Sequence, residues 1–152
     1  MTQPPSKPQD ADQLANEAGQ AMYARDRASQ QLGIALDAIS PGYARMSMQV
    51  ADLMLQGQGV CHGGLLFALA DTAMAFASNS HNETHTALSA NIDFLRPAQG
   101  GDTLTAEAQE DNRTRRTGMY NVSIVNQDGD ALCYFRGRTY GIGGSVIRDD
   151  EA

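Results

Sequence analysis

Lysine occurs once in the chain, at Lys7, and tryptophan does not occur at all. With 11 basic residues against 18 acidic ones, the net charge is −7. No nucleic-acid partner is expected from such a balance, because a phosphate backbone needs a basic face. A small anionic ligand stays open, since a local arginine cluster can oppose the global charge. The two cysteines, Cys61 and Cys133, make neither a CxxC motif nor a disulfide framework. No secretory h-region stands at the N-terminus, so a cytoplasmic protein is expected. No membrane partner is expected either. The greasiest stretch, "CHGGLLFALADTAMAFASNS", has an apolar part of about fifteen residues broken by Asp71, whereas a span needs roughly twenty.

What is present is enough for one domain: 152 residues, 41% of them apolar. Residues 1–11 are Pro- and Gln-rich at their start and read as a disordered tail. From Asp12 a helical pattern (Leu14, Ala18, Ala21, Met22, Ala28) runs to a stop at Gly33. Two strands follow around Ser40-Pro41-Gly42, the second alternating Ala44, Met46, Met48 and Val50 against polar neighbours. After the long helix come four more strand-like runs. In these Leu88, Ala90, Ile92 and Phe94, then Leu104, Ala106 and Ala108, then Tyr120, Val122 and Ile124, point to one face. Short connections predict an antiparallel meander of chain neighbours. The domain spans 12–144, and 145–152 read as a C-terminal tail. The class is α+β: a curved antiparallel sheet wrapped around one long central helix. That helix is apolar all round, so one sheet leaves its far side uncovered and another subunit is expected to cover it.

Two features of the long helix point to chemistry. Gly63 and Gly64 are poor helix formers at a helix start, where N–H groups lack intrahelical partners and the dipole favours negative charge. That suits an oxyanion; a tight loop-to-helix turn accounts for the glycines equally well. Asp71 is a carboxylate in an apolar helix that has no Lys or Arg. It is either hydrogen-bonded to Thr72 or a nearby strand, or used. It lies eight residues beyond Gly63, about 12 Å along a straight helix. Two groups acting on one carbonyl must both lie near it. If both are catalytic, each comes from a different subunit.

The stretches "CHGGLLFALADTAMAFASNS", "IDFLRPAQGGDTLTAEA", "RTGMYNVSIVNQDG" and "FRGRTYGIGG" resemble the hotdog-fold thioesterases, specifically the PaaI group of phenylacetate degradation. The resemblance covers about Ala21 to Gly144. It implies hydrolysis of aryl-acetyl-coenzyme A thioesters, with sites shared across a homodimer and dimers pairing into tetramers. By position, Gly63 matches the residue whose N–H polarises the thioester carbonyl, and His62 shapes that end of the site. Asp71 matches the catalytic carboxylate, either nucleophile or base on water. Ser89 matches a water-orienting hydroxyl. Seven residues before Gly63, where this group usually has Asn, the chain has Gln56. Substrate contacts are expected at Gly64, Asn91 and Phe94. The coenzyme A rim is expected at Arg96, at Arg116 with Thr117 and Gly118, and at Gly143 and Gly144. No cofactor is expected, coenzyme A being part of the substrate.

No metal site is expected. His81 and His85, four apart around Glu83, read as the polar exit of the helix. Cys61 has no assignable base and reads as a small packed residue. Two rivals remain: a hotdog acyl-thioester dehydratase with His62 as base, and a non-enzymatic acyl-coenzyme A-binding protein.

Overall fold

The computed structural model describes residues 10–151. The expected N-terminal tail lies outside them except for Asp10, which caps the first helix, and Ala11, which begins it. Helix α1 (Ala11–Arg25) and helix α2 (Arg27–Leu32) replace the single helix expected up to Gly33. The break is at Asp26, whose carboxylate takes the Ser29 N–H at 2.9 Å and the Ser29 hydroxyl at 2.6 Å. A short acidic side chain competes with the helix ladder in this way. Gly33 then ends α2 in the left-handed region, φ 70°.

Strands β1 (Ala35–Ser40) and β2 (Tyr43–Gln49) form a hairpin. Helix α3 (Gly63–Asn79) follows, then β3 (His85–Phe94), β4 (Thr103–Arg113), β5 (Thr117–Val125) and β6 (Ala131–Gly141). They make one six-stranded antiparallel sheet in the order β1-β2-β4-β5-β6-β3. Strands from one edge to the other touch α3, so the sheet wraps it as expected.

The expected meander of chain neighbours fails at one place. Strand β3 pairs with β6 rather than with β4. Helix α3 carries the chain to the far edge, and the segment 95–102 returns it to β2, where β4 adds. As an edge strand β3 lacks a second neighbour, and of its residues only His85 is buried. The inward face expected for Leu88, Ala90 and Phe94 is therefore exposed in the single chain; Phe94 is 54% exposed. On β2, β4 and β5 the expected alternation holds, and their apolar faces are buried against α3.

The far side of α3 is covered in part by this chain itself. Helix α1 lies across it, with the Tyr23 and Phe76 rings 6.4 Å apart. Apart from Gly63 at its start and Phe67, which packs on Phe135 of β6, what stays half-buried is a stripe at helical spacing, Leu65, Ala68, Asp71, Thr72 and Ala75. The C-terminal segment also packs, contrary to a free tail. Val146 is buried, its carbonyl accepts from Arg25 at 3.0 Å, and the Ile147 N–H reaches Asn82 at 2.9 Å.

Gly118 is buried on β5, and a Cβ there would sit 2.7 Å from the Tyr120 ring and 2.9 Å from the Thr139 hydroxyl. The Tyr120 hydroxyl is held by Glu110, so the ring cannot swing aside freely. Gly118→Ala is expected to cost about 1–3 kcal/mol of overpacking, read as a lower urea midpoint at unchanged slope.

Candidate active site

The site is built where the chain enters α3. The turn Asp52–Met54 and a tight loop from Gln56 to Val60 precede it. Gly59 takes φ 82° there, and its N–H bonds the Gln56 carbonyl. The Gln56 side-chain oxygen accepts from the Gln58 N–H, which leaves its amide NH₂ free to donate. Two bonds anchor the approach: Cys61 N–H to Ala98 O and His62 N–H to Met54 O, both 2.8 Å.

His62 is the N-cap of α3, with Nδ1 accepting the Gly64 N–H at 2.9 Å. The His62 carbonyl takes the Leu65 N–H at 2.9 Å and the Leu66 N–H at 3.4 Å. Of the first-turn donors only the Gly63 N–H has no acceptor among the described residues. The glycines are needed for space. A Cβ at Gly64 would stand 3.0 Å from His62 Nδ1, and one at Gly63 would stand 3.1 Å from the Phe94 ring. Gly63 thus offers an open donor beside the Phe94 ring.

Gly63 borders a cleft of about 350 Å³ with Gln56, Phe94 and Arg96. Val60, Leu66, Leu95 and Pro97 complete an apolar lining that the sequence reading did not single out. Leu95 and Pro97 are signalled only by standing next to Phe94 and Arg96 along the chain; Val60 and Leu66 carry no such signal. Cys61 lines it too, but burial pushes its thiol up, and a protonated thiol is a poor nucleophile.

Asp71 is half-buried on α3, and its carboxylate has no hydrogen bond or ion pair to any described residue. Thr72, the neighbour that would pair with it, donates instead to Ala68 O at 2.7 Å. Burial with nothing to offset it raises the Asp71 pKa above the ordinary carboxylate value. Within one chain Asp71 does not line the Gly63 cleft.

The remaining candidates fall into separate places. Ser89 and Asn91 are exposed on β3, paired with Arg138 and Arg136 of β6, and neither lines the cleft. Asn91 faces a hollow of about 520 Å³ on the sheet surface turned away from α3, with Tyr43, Tyr134 and Arg136. Arg96 donates to Ala131 O at 3.2 Å. Arg116, Gly143 and Gly144 share a second cleft of about 690 Å³ at the opposite end of β3, joined by Arg115 and Tyr140. Both glycines there have positive φ, 88° and 89°. Thr117 closes the β4–β5 turn with Thr114, and Gly118 is packed inside; neither lines that cleft. His81 bonds Glu110, while His85 is buried against Thr139, so the two histidines do not converge. Among the described residues no group of three or more His, Cys, Asp or Glu could hold a metal ion. None of the described helices is long and apolar enough to cross a membrane.

Residues 58–133 match the profile of the Thioesterase superfamily. The chain belongs to that family. It is 45% identical to acyl-coenzyme A thioesterase PaaI of Escherichia coli (strain K12) over 126 residues, which is 83% of this chain and 90% of the relative. The structure of the E. coli PaaI protein from the phenylacetic acid degradation operon superposes with a TM-score of 0.88 and 43% identity. It covers 90% of this chain and 99% of that one. A mutant of phenylacetic acid degradation protein PaaI from Thermus thermophilus gives a TM-score of 0.74 and 36% identity, over 77% of this chain and 100% of that one. The fold is thus the hotdog fold and the protein an enzyme, a thioesterase.

For a thioesterase, an unpaired half-buried carboxylate is a stability cost with a readable sign. The native Asp71 carboxyl holds its proton to higher pH than in the unfolded chain, because burial raises its pKa. Its contribution favours the folded state at low pH and is lost as pH rises through the native value. Asp71→Asn, which cannot ionise, is therefore expected to raise the melting temperature by roughly 1–4 °C near pH 7. The gain should shrink as pH falls into the carboxylate range. An unchanged or lower melting temperature at pH 7 would show that Asp71 is paired in solution.

Proposed function

We propose that this thioesterase hydrolyses aryl-acetyl-coenzyme A esters, of the phenylacetyl and hydroxyphenylacetyl type, to free acid and coenzyme A in phenylacetate degradation. The observation that carries the reading is the open Gly63 N–H beside an apolar cleft, on the same helix as an unpaired carboxylate. An N–H at a helix N-terminus stabilises the negative oxygen that forms when a thioester carbonyl is attacked. Asp71 supplies the attack. As a base it takes a proton from water, whose oxygen then bonds the acyl carbon; as a nucleophile it bonds that carbon itself and water cleaves the anhydride. In both routes the carbon–sulfur bond breaks and coenzyme A leaves as the thiol. Gln56 adds a donor through its free amide NH₂. No cofactor takes part.

The site is completed by a second copy of the chain, because about 12 Å of helix separates Asp71 from Gly63. The unpaired edge of β3, with Leu88 53% exposed, supports an antiparallel pairing of two β3 strands about a two-fold axis. Such pairing sets the Phe94 end of one β3 beside the His85 end of the other. The partner's Arg115–Arg116 cleft then serves the nucleotide phosphates of a thioester held at this chain's Gly63, with Arg96 nearer the acyl end. Pairing of dimers into tetramers follows from the family resemblance. Two buried free thiols and no disulfide among the described residues fit a cytoplasmic location. The dehydratase reading loses support because the Nδ1 lone pair of its base, His62, is already taken.

Release of free thiol from a panel of aryl and fatty acyl-coenzyme A esters tests the activity. Phenylacetyl esters should turn over fastest, and binding without thiol release would leave only an acyl-coenzyme A-binding protein. Gly63→Pro removes the single N–H at a position where proline is favoured and His62 (ψ 129°) already has the extended backbone that a following proline requires; its Cβ would meet the Phe94 ring at 3.1 Å, and that exposed ring has to shift by a few tenths of an ångström to admit it. It is expected to lose about 10²–10³-fold in kcat, and Asp71→Asn about 10²–10⁴-fold. Refolding the two inactive proteins together should restore about a quarter of wild-type activity, one intact site in half of the dimers. No recovery in mixed dimers would place both groups in one chain.

A further inference from the structure

We propose that His62 is a positioning residue: its neutral imidazole caps α3 and thereby leaves the Gly63 N–H as the one open donor, so that hydrolysis declines when His62 gains a proton. This rests on the thioesterase reading above and names a regulation of that same site. The geometry is specific. His62 Nδ1 accepts from the Gly64 N–H at 2.9 Å, and accepting requires a lone pair at Nδ1 and the proton at Nε2. The His62 carbonyl takes Leu65 and Leu66, so one residue satisfies three of the four first-turn donors. A protonated imidazole has no lone pair to give. The Gly64 N–H would then be released beside the Gly63 N–H, and a cation would sit at the positive end of the helix dipole. Both effects loosen the turn that fixes the direction of the Gly63 N–H.

The contacts around His62 hold its ring and carbonyl without a counter-charge among the described residues. Its backbone N–H goes to Met54 O from the preceding turn. The Cys61 thiol, kept protonated by burial, donates to the His62 carbonyl at 3.7 Å. From β3 the Phe94 ring lies over Gly63, and Arg96 lines the same cleft. No described carboxylate forms an ion pair with His62. The small Gly64 has its reason here as well, since a Cβ would push into the ring that caps it.

The test compares pH profiles of kcat for the wild type, His62→Asn and His62→Ala. Asparagine accepts at an N-cap as well as any residue and does not titrate; alanine does not accept. The wild type should show an acid limb carried by His62 in addition to the limb of Asp71. His62→Asn should retain roughly a third or more of kcat at pH 8 and lose the histidine limb, whereas His62→Ala should fall about tenfold or more in kcat with little change in KM. A histidine limb that persists in His62→Asn, or wild-type kcat in His62→Ala, overturns the proposal. The imidazole nitrogen spectrum of the wild-type protein decides the cap independently of turnover. Protonation at Nε2, with the Gly64 amide moving as His62 titrates, supports it; protonation at Nδ1 refutes it even in an active enzyme. A protein that shows the cap yet releases no thiol from any ester would fail the thioesterase reading instead.

Discussion

The closeness with which α3 lies on the sheet is the constraint from which the rest follows. On the facing surfaces the side chains are small. Ala70, Ala73 and Ala77 of the helix are fully buried, as are Ala44, Ala106 and Ala108 of the strands. At Gly137 of β6 the fit is closest: a Cβ there would overlap the Met74 sulfur at 2.3 Å. Interiors are packed at crystal-like density, so along Ala70, Ala73 and Ala77 the interface leaves no room for a polar partner, and helix and sheet meet through polar groups only at the helix end, where Asn79 bonds His85. Mid-helix, a carboxylate can only be turned to the stripe that the sheet does not cover. Asp71 sits on that stripe, and the same packing that stabilises α3 denies it a counter-charge.

The helix start obeys the complementary rule. An α-helix begins with four unpaired N–H groups, and burying them without acceptors is costly. Here one histidine, through its ring and its carbonyl, takes three, and the fourth is left at the border of an apolar cleft. The glycines are there for steric reasons: ring against Gly64, ring against Gly63. The carboxylate cost and the open-donor cost lie on the same helix, about 12 Å apart. Both are departures from local optimality of the kind that functional sites retain.

Much of this was legible in the sequence, for a physical reason. Alternation on β2, β4 and β5 and the apolar run of α3 report which face is dry, and the structure buries those faces. Pattern does not report which neighbour does the drying. The partner of β3 is β6, about forty residues on, and no local signal encodes that pairing. From the sequence, the far side of α3 falls wholly to a second subunit, because the weak amphipathicity of α1 gives no hint that Tyr23 reaches Phe76. The break at Asp26 is hidden for a different reason. Helical spacing continues across it, and only the side-chain bonds to Ser29 decide against a continuous helix. At the site, glycines and a lone Asp stand out by type, whereas Leu66, Leu95 and Pro97 are ordinary apolar residues whose gathering into one cleft is purely tertiary.

The two arginine-bearing clefts at opposite ends of β3 fit one economy. A ten-residue strand is about 30 Å long, so within one chain the clefts at Arg96 and at Arg116 are too far apart to hold the two ends of one compact ligand site. The edge of β3 is unpaired, and an exposed edge with Leu88 upon it is a liability that proteins normally blunt with charge or cover. Charge is not used on the inward positions here; Leu88, Ala90 and Phe94 are apolar. Covering by a second copy would remove the liability and, being antiparallel about a two-fold axis, would fold the roughly 30 Å separation back on itself. The same pairing that would protect the edge would bring the Arg115–Arg116 cleft toward each open Gly63 N–H. Within one subunit the Arg115–Arg116 cleft and the Gly63 N–H lie at opposite ends of β3, so in a chain with net charge −7 it is a second copy that would bring these arginines to Gly63.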